Sequence, residues 1–319
     1  MTDAGRRFRL KATIAFTLVY ILWGSTYLAI GIAVKHIPPF MMGALRFIVA
    51  GAIMLCWRFA RGFAVAISSR DLFRLTIIGV LLLSTGNVVL GWAETYIATS
   101  LAALLIAITP LWFLILERFS HRGDRLSPRG LAGIALGLGG VIVLMWPGLS
   151  AGMSVGRAEL IGGGLVLISS MSWAIGSVLS KRWHVRSDPY SASGWEMLMA
   201  GFVNLAVALG IGELPRTVWN RESLLAVGYL VIAGSLIGFT AYLWLLRNVS
   251  TPKVATYAYV NPLVALFLGW LVLGEKIDGY IITGTGIVVV SIILVTGAKL
   301  KRTETEEAPG LPDVETTGD

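Results

Sequence analysis

The chain repeats part of its own pattern at half its length. Five pairs of residues lie 150 positions apart, four of them identical and one of opposite charge: Trp23 and Trp173, Pro39 and Pro189, Ala50 and Ala200, Gly51 and Gly201, and Arg46 and Glu196. Further along, the offset becomes 151 for Gly133 and Gly284, and 152 for Pro110 and Pro262. In a hydrophobic chain, such a duplication is the strongest sequence indication of a secondary transporter, whose substrate site lies between two related halves.

Composition places the chain in a lipid bilayer. Hydrophobic residues make up 56% of the 319 residues and charged residues only 14%, whereas about 25% of an ordinary soluble domain is charged. The mean hydropathy of +0.77 agrees with this assignment. The basic residues behind the net charge of +8 are scattered between apolar runs, a pattern typical of membrane topology signals and not of a nucleic-acid partner. Cys56 is the single cysteine, so no intrachain disulfide can form.

Ten segments reach the roughly 20 apolar residues that a helix needs to cross the hydrocarbon layer. They lie near residues 12–34, 40–60, 72–93, 97–117, 129–146, 158–180, 190–212, 223–246, 252–273 and 279–298. Twenty of the 26 Lys and Arg residues fall at the chain ends and in alternate gaps, whereas five fall in the intervening gaps. Since positive residues accumulate on the cytoplasmic side, this distribution predicts that both termini are cytoplasmic.

Each half holds five spans, an odd number, so the second half enters the membrane from the opposite face. The sequence therefore predicts an all-α integral membrane protein with ten transmembrane helices arranged as two inverted five-helix repeats, an arrangement that favours a carrier over an enzyme. The expected boundaries are a cytoplasmic basic segment at 1–11, a first repeat at 12–146, a periplasmic linker at 147–157, a second repeat at 158–298 and a disordered acidic cytoplasmic tail at 299–319.

Three charged residues within or at the ends of spans are candidates for charge recognition or proton coupling. A charge at mid-helix costs about 2.5–3.5 kcal/mol on insertion scales, so it indicates a function or a compensating partner. Arg46 and Glu196 occupy equivalent positions of the two halves, where each either anchors a helix end or takes part in recognition or coupling. Glu94 follows Asn87 by seven residues on one helix face. The two suit an ammonium or amino-acid substrate, unless Glu94 is an interfacial carboxylate.

Aromatic and polar residues near the middle of the membrane complete the predicted substrate site. Trp23 and Trp173 are followed by small and hydroxyl residues, and an indole N–H at that depth needs an acceptor. Pro110 and Pro262 interrupt two spans and are predicted helix hinges. The residues predicted to bind substrate are Trp23, Ser25, Tyr27, Asn87, Glu94, Trp173, Ser177, Tyr242, Tyr259 and Asn261.

The sequence lacks the motifs of familiar enzyme classes. No phosphate-binding glycine loop, nucleophile elbow or zinc-ligand cluster occurs, and the three histidines lie at the ends of spans. We therefore expect no catalytic residue, no metal site and no cofactor.

Several local motifs resemble the EamA branch of the drug/metabolite transporter superfamily. They are Trp23-Gly24-Ser25-Thr26-Tyr27, Pro39 with Arg46-Phe47, Ser172-Trp173-Ala174, Arg247-Asn248-Val249-Ser250, Ala258-Tyr259-Val260-Asn261-Pro262 and Leu273-Gly274-Glu275. The resemblance covers about residues 12–298 and implies a ten-helix, two-repeat exporter of amino acids, other small metabolites or drugs, with a central cavity. The first half departs from the pattern, since Arg122-Gly123-Asp124 stands where the second half has Gly274-Glu275. Either Asp124 takes the place of that carboxylate or the first half lacks it.

We expect a bacterial inner-membrane exporter that works by rocking of helices from the two repeats. Its expected partners are a small-molecule substrate, protons as the candidate coupling ion, and the lipid bilayer. One alternative is a membrane-embedded enzyme or lipid-substrate translocase acting on a lipid-linked substrate, which would need paired acidic or histidine residues at a membrane face. Another is an accessory membrane protein. No sequence feature indicates an oligomeric state.

Overall fold

The computed structural model describes residues 3–118, 128–150, 156–249, 254 and 257–306, and these residues contain no strand. Their helical segments, labelled α1 to α10 in chain order, are connected by short loops. The bounds are α1 (Asp3–Leu18, Val19–Trp23 and Gly24–Ala33), α2 (Pro39–Ala60), α3 (Ser69–Gly79, Val80–Val88 and Val89–Ala93), α4 (Thr99–Ile106 and Thr109–Arg118), α5 (Pro128–Ser150), α6 (Arg157–Arg182), α7 (Pro189–Gly210), α8 (Arg221–Tyr229, Leu230–Gly238 and Phe239–Asn248), α9 (Tyr257–Leu268 and Gly269–Leu273) and α10 (Gly279–Glu306).

Seven of these helices are long and apolar enough to cross a membrane, namely α1, α2, α3, α5, α6, α7 and α8. Shorter apolar helices cover Thr99–Phe113, Val260–Leu273 and Gly279–Ser291, within α4, α9 and α10. In α4 the helix is broken by a turn at residues 107–108, and Pro110 is the second residue of the new segment. A proline fits there because the first turn of a helix has no intrahelical partner for its N–H groups. The all-α prediction is confirmed for the described residues, and the apolar helices are consistent with a multi-pass membrane protein.

Helices α2 and α7 cross at a glycine on each side. A Cβ atom at Gly51 would lie 2.6 Å from the backbone nitrogen of Leu198, and one at Gly201 would lie 2.6 Å from the backbone nitrogen of Ile48. No side chain fits into so short a gap, so only glycine permits this backbone approach. Ile48 and Leu198 are also 150 residues apart. The contact of Gly51 with Leu198 is therefore equivalent to the contact of Gly201 with Ile48, with the two halves exchanged.

A second reciprocal pair of contacts joins α5 and α10. A Cβ atom at Gly137 would lie 2.6 Å from Oγ of Ser291, and one at Gly140 would lie 2.7 Å from a methyl carbon of Val288. With the offset of 151 that holds in this region, Gly137 corresponds to Val288 and Gly140 to Ser291. Ser291 donates a hydrogen bond of 2.7 Å to the carbonyl oxygen of Gly133 across the same interface. The α5–α10 pair thus repeats the glycine-mediated packing of the α2–α7 pair.

Equivalent wide turns interrupt α3 and α8. Residues Val80–Val88 and Leu230–Gly238 are π-helical, nine residues long in each case and 150 positions apart. Wide turns of this kind are rare in proteins and occur frequently at functional sites. We call these two segments the π stretches. Both contribute residues to the lining of the cavity described in the next subsection. The spacing of apolar residues in the sequence does not predict them.

The α2–α7 pair is tied together at both ends. At one end Arg58 forms a salt bridge of 2.9 Å with Asp188, the N-cap residue of α7. Burial alone would raise the pKa of Asp188, but hydrogen bonds from Ser191 and the charge of Arg58 contribute to a pKa below the ordinary aspartate value. At the other end Glu213 accepts a hydrogen bond of 2.7 Å from the backbone N–H of Met41, in the first turn of α2. The carboxylate satisfies a helix-terminal donor and favours the positive end of the helix dipole.

The glycine crossing gives a direct test of the α2–α7 packing. We expect Gly51→Ala to lower the thermal unfolding midpoint in detergent, because the added methyl group meets backbone atoms and overpacking costs about 1–3 kcal/mol. Gly164→Ala in α6 is the matched control, since a Cβ atom there meets no atom within 4 Å and alanine favours a helix by about 1 kcal/mol over glycine. Equal midpoints for the two variants would contradict the close crossing.

Candidate functional site

A cavity lies between the two halves of the chain. It encloses about 850 Å³ of space between its lining atoms, part of it open to solvent. Its lining comes from eight helices, α1 to α4 and α6 to α9, so both halves contribute, whereas the described residues of α5 and α10 do not reach it. The mixture of an apolar wall with a few polar groups is that of small-molecule sites.

The charged group of the cavity is a guanidinium. Among the described residues, Arg46 is the sole charged side chain of the lining, and it is only 4% exposed. Its Nε donates to Oγ of Ser235 and its Nη1 donates to Oδ1 of Asn87, both at 2.9 Å. Asn87 belongs to the π stretch of α3 and Ser235 to that of α8. Arg46 of α2 therefore bridges the two halves through two neutral oxygen atoms.

Four aromatic rings, Trp23, Trp173, Tyr242 and Tyr257, form a cluster that we call the aromatic floor. Trp23 and Trp173, the repeated tryptophans, meet edge to face with ring centroids 5.8 Å apart. Trp23 also lies 4.8 Å from Tyr242 and 5.4 Å from Tyr257. Its indole Nε1 donates to the carbonyl oxygen of Gly234, at 3.2 Å, in the π stretch of α8. All members except Tyr242 line the cavity, so the floor offers it large apolar ring surfaces.

A carboxylate cluster lies where α3 ends and α4 begins. Glu94, one residue beyond α3, accepts a hydrogen bond of 3.3 Å from the hydroxyl of Thr99 through Oε2, and its buried Oε1 has no partner among the described residues. Glu275 accepts backbone hydrogen bonds from Thr99 and Ser100, at 2.8 and 3.0 Å, and so caps the first turn of α4. Burial raises the pKa of Glu94 well above its ordinary value; the Thr99 hydrogen bond lowers it, and the Glu275 charge raises it further.

Comparison with known proteins agrees with this architecture. The sequence profile of the EamA-like transporter family matches residues 10–146 and again residues 160–297. The chain belongs to the EamA-like transporter family. The predicted resemblance to the EamA branch is thereby confirmed, and the two matches fall on the two halves of the repeat.

Individual known proteins align along nearly the whole chain. The inner-membrane transporter YedA of Escherichia coli strain K12 is 37% identical over 286 residues, covering 89% of this chain and 90% of that protein. Protein PecM of Dickeya dadantii strain 3937 is 26% identical over 283 residues, covering 88% and 90%. One solved crystal structure, 22% identical, superposes with a TM-score of 0.64 over 90% of this chain and 98% of its own. That likeness shows a shared fold.

The structure brings together about half of the residues predicted from the sequence. Five of the predicted substrate-binding residues, the predicted charge Arg46 and the predicted hinge Pro262 line the cavity. The five are Trp23, Tyr27, Asn87, Trp173 and Asn261. Pro262 lies within the first segment of α9, whereas Pro110 lies at the break of α4 and outside the lining.

The other predicted residues whose side chains the structure describes do not line the cavity. The hydroxyl of Ser25 donates to the carbonyl of Leu22 and contacts the hydroxyl of Tyr229 at 2.6 Å, and that of Ser177 donates to the carbonyl of Trp173. Tyr242 is 5% exposed in the aromatic floor, Glu196 is 6% exposed within α7, and Glu94 lies in the carboxylate cluster. The side chain of Tyr259 is outside the part that the structure describes.

Three residues that take part in these contacts are not indicated by any distinct sequence pattern. Ser235 is one serine within an apolar run, Tyr257 is one aromatic among several, and Glu275 stands in a motif without an evident partner. No group of three or more His, Cys, Asp or Glu side chains that could hold a metal ion occurs among the described residues.

The indole hydrogen bond of Trp23 can be separated from its packing. We expect Trp23→Phe, which keeps a ring in the aromatic floor, to lose about 1 kcal/mol of stability with the bond to Gly234. Trp23→Ala should lose about 3–5 kcal/mol because it also leaves a void. Thermal unfolding in detergent measures both, with Trp146→Phe as the control at a site 47% exposed on α5. Equal effects of Trp23→Phe and Trp146→Phe would show that the hydrogen bond contributes nothing.

Proposed function

We propose that the chain is a secondary transporter of the bacterial inner membrane, with both termini cytoplasmic, that exports small amphipathic metabolites, such as amino acids, or drugs by alternating access. The observation that carries this proposal is a cavity lined by helices of both halves. Membership of a family of transporters supports it. A site between two halves changes its exposure when the halves move against each other, which is the requirement for alternating access.

We infer further that ten spans form two inverted five-helix repeats, at 12–146 and 158–298. The reciprocal contacts of Gly51 and Gly201, and those of Gly137 and Gly140, support a pseudo-two-fold axis through the α2–α7 and α5–α10 crossings. The matching π stretches of α3 and α8 support the same symmetry. In this arrangement, the glycine crossings of α2 with α7 and of α5 with α10 form the fixed part, and the other helices around the cavity rock about them.

A membrane-embedded enzyme or a translocase acting on a lipid-linked substrate is the alternative. It fits less well, because the cavity lining among the described residues holds one arginine and no carboxylate or histidine. Two relatives are named as transporters and not as enzymes. They are YedA of Escherichia coli and YoaV of Bacillus subtilis, and YoaV is 22% identical over 90% of this chain.

Uptake into proteoliposomes tests the transport function. We expect purified protein to give saturable uptake of at least one member of a labelled panel of amino acids and small metabolites. Trp173→Ala should abolish it by removing a ring of the aromatic floor, whereas Trp146→Ala on the outer face of α5 should retain it. Uptake that is unchanged in Trp173→Ala would contradict a substrate site in this cavity. Absence of uptake across the whole panel would contradict the proposed metabolite transport.

Protons are the proposed coupling ion, with Glu94 and Glu196 as candidate carriers. Since the pKa of Glu94 is raised, its carboxyl group takes up a proton at a higher pH than an ordinary glutamate does. We therefore expect the pH profile of transport to lose a titration step in Glu94→Gln, or in Glu196→Gln if that residue is the carrier. Glu222→Gln, at an exposed site in the first turn of α8, is the control. An unchanged profile in both variants excludes them as proton carriers.

A further inference from the structure

We propose that the cavity selects small organic anions, and that Arg46 binds the carboxylate group of the transported molecule. This inference rests on the proposed function and specifies its substrate class. The sequence alone favoured an ammonium or amino-acid substrate through Glu94, but Glu94 lies outside the lining and Arg46 lies within it.

The charge of Arg46 has no counter-charge in the described part of the chain. Its hydrogen bonds in that part go to the neutral oxygens of Asn87 and Ser235, and its guanidinium carbon lies 4.8 Å from the ring centroid of Phe47. The described salt bridges lie elsewhere, at Arg58 and Arg74. A buried charge is costly unless it is paired, and the guanidinium fork matches the two oxygens of a carboxylate. A carboxylate of the substrate would supply the missing charge.

The acidic side chains of the carboxylate cluster are engaged away from the cavity. Glu94 binds the hydroxyl of Thr99, and Glu275 holds the first turn of α4. Glu196 is buried within α7 and does not belong to the lining. The cavity therefore presents a net positive charge to whatever enters it.

The rest of the lining indicates what the anion carries besides its carboxylate. Oδ1 of Asn261, a residue that is 4% exposed and lines the cavity, has no hydrogen-bond partner among the described residues. Its amide can bind a second polar group, such as a hydroxyl or an ammonium group. The rings of Trp23, Trp173 and Tyr257 suit an apolar or aromatic body. A small carboxylate with an aromatic body and one hydrogen-bond donor satisfies all three features.

Anion binding would also act on the link between the halves. An ionised carboxylate is a stronger acceptor than a neutral amide or hydroxyl oxygen, so it would compete with Asn87 and Ser235 for Arg46. Because these two residues lie in the π stretches of α3 and α8, a bound anion would weaken the contacts that hold α2 to both stretches. Arg46 would then both bind the substrate and control the movement of α2 relative to α3 and α8.

Three probes with the same phenyl body separate charge from shape. They are 3-phenylpropionate, 3-phenylpropanamide and 3-phenylpropylamine, which are anionic, neutral and cationic at neutral pH. We expect the anion alone to raise the thermal unfolding midpoint of the purified wild-type protein in detergent, because a ligand stabilises the state that it binds. Arg46→Gln should weaken this binding at least about tenfold, Arg46→Lys should retain part of it, and the exposed Arg221→Gln should bind as the wild type does.

A second variant keeps the test decisive if Arg46→Gln does not fold. Asn87→Asp places a carboxylate where Oδ1 of Asn87 now lies 2.9 Å from Nη1 of Arg46. It should fold at least as well as the wild type and bind the anion at least about tenfold more weakly, because the charge is already paired. The proposal is overturned if the amine or the amide stabilises the wild type as well as the anion does. It is also overturned if no anion binding is detected, or if Asn87→Asp binds the anion like the wild type.

Uptake of the same three probes separates this inference from the proposed function. Saturable transport of the amine without the anion would overturn anion selection and leave the transporter function supported. Binding of the anion without transport of any probe or panel member would support the anion site and count against the transporter function.

Discussion

The close backbone approach of α2 to α7 is the constraint on which the rest of the structure depends. Gly51 and Gly201 allow the two helices to touch along their middle, and Arg58–Asp188 and Glu213–Met41 tie them at their ends. In a bilayer no hydrophobic force drives helices together, so packing and hydrogen bonds must do so. The crossing sets the position of α2, and α2 places Arg46 between the π stretches of α3 and α8.

The helices were predictable because the signals for them are local. An apolar run of membrane length, ended by proline, glycine or charged residues, predicts a helix without knowledge of its neighbours. The spans predicted to begin at residues 40 and 190 begin one residue earlier in the structure, at Pro39 and Pro189. The π stretches of α3 and α8 were not predictable from the sequence, because they depend on packing between helices and leave the spacing of apolar residues unchanged. The break in α4 lies immediately before Pro110, where the sequence predicted a hinge.

The aromatic residues of the site were predictable from the repeat, whereas the hydrogen bonds between its polar residues were not. Trp23 and Trp173 were candidates because each half carries one, and the two rings do meet. The bond from Arg46 to Ser235 joins residues 189 positions apart, a relation that no spacing rule indicates. Glu94 shows the limit of helix-face reasoning. It shares a face with Asn87, yet it lies one turn too far along the chain to reach the cavity.

The carboxylates that cap α2 and α4 bear on how the chain folds. Both helices belong to the first half, whereas the capping residues Glu213 and Glu275 belong to the second. Without those carboxylates, the first half would leave the backbone N–H groups at two helix starts without these acceptors. Each half is recognisable as a copy of the other, but the first half completes its helices only in the presence of the second. The repeat is thus a unit of sequence whose first copy depends on the second for the caps of two helices.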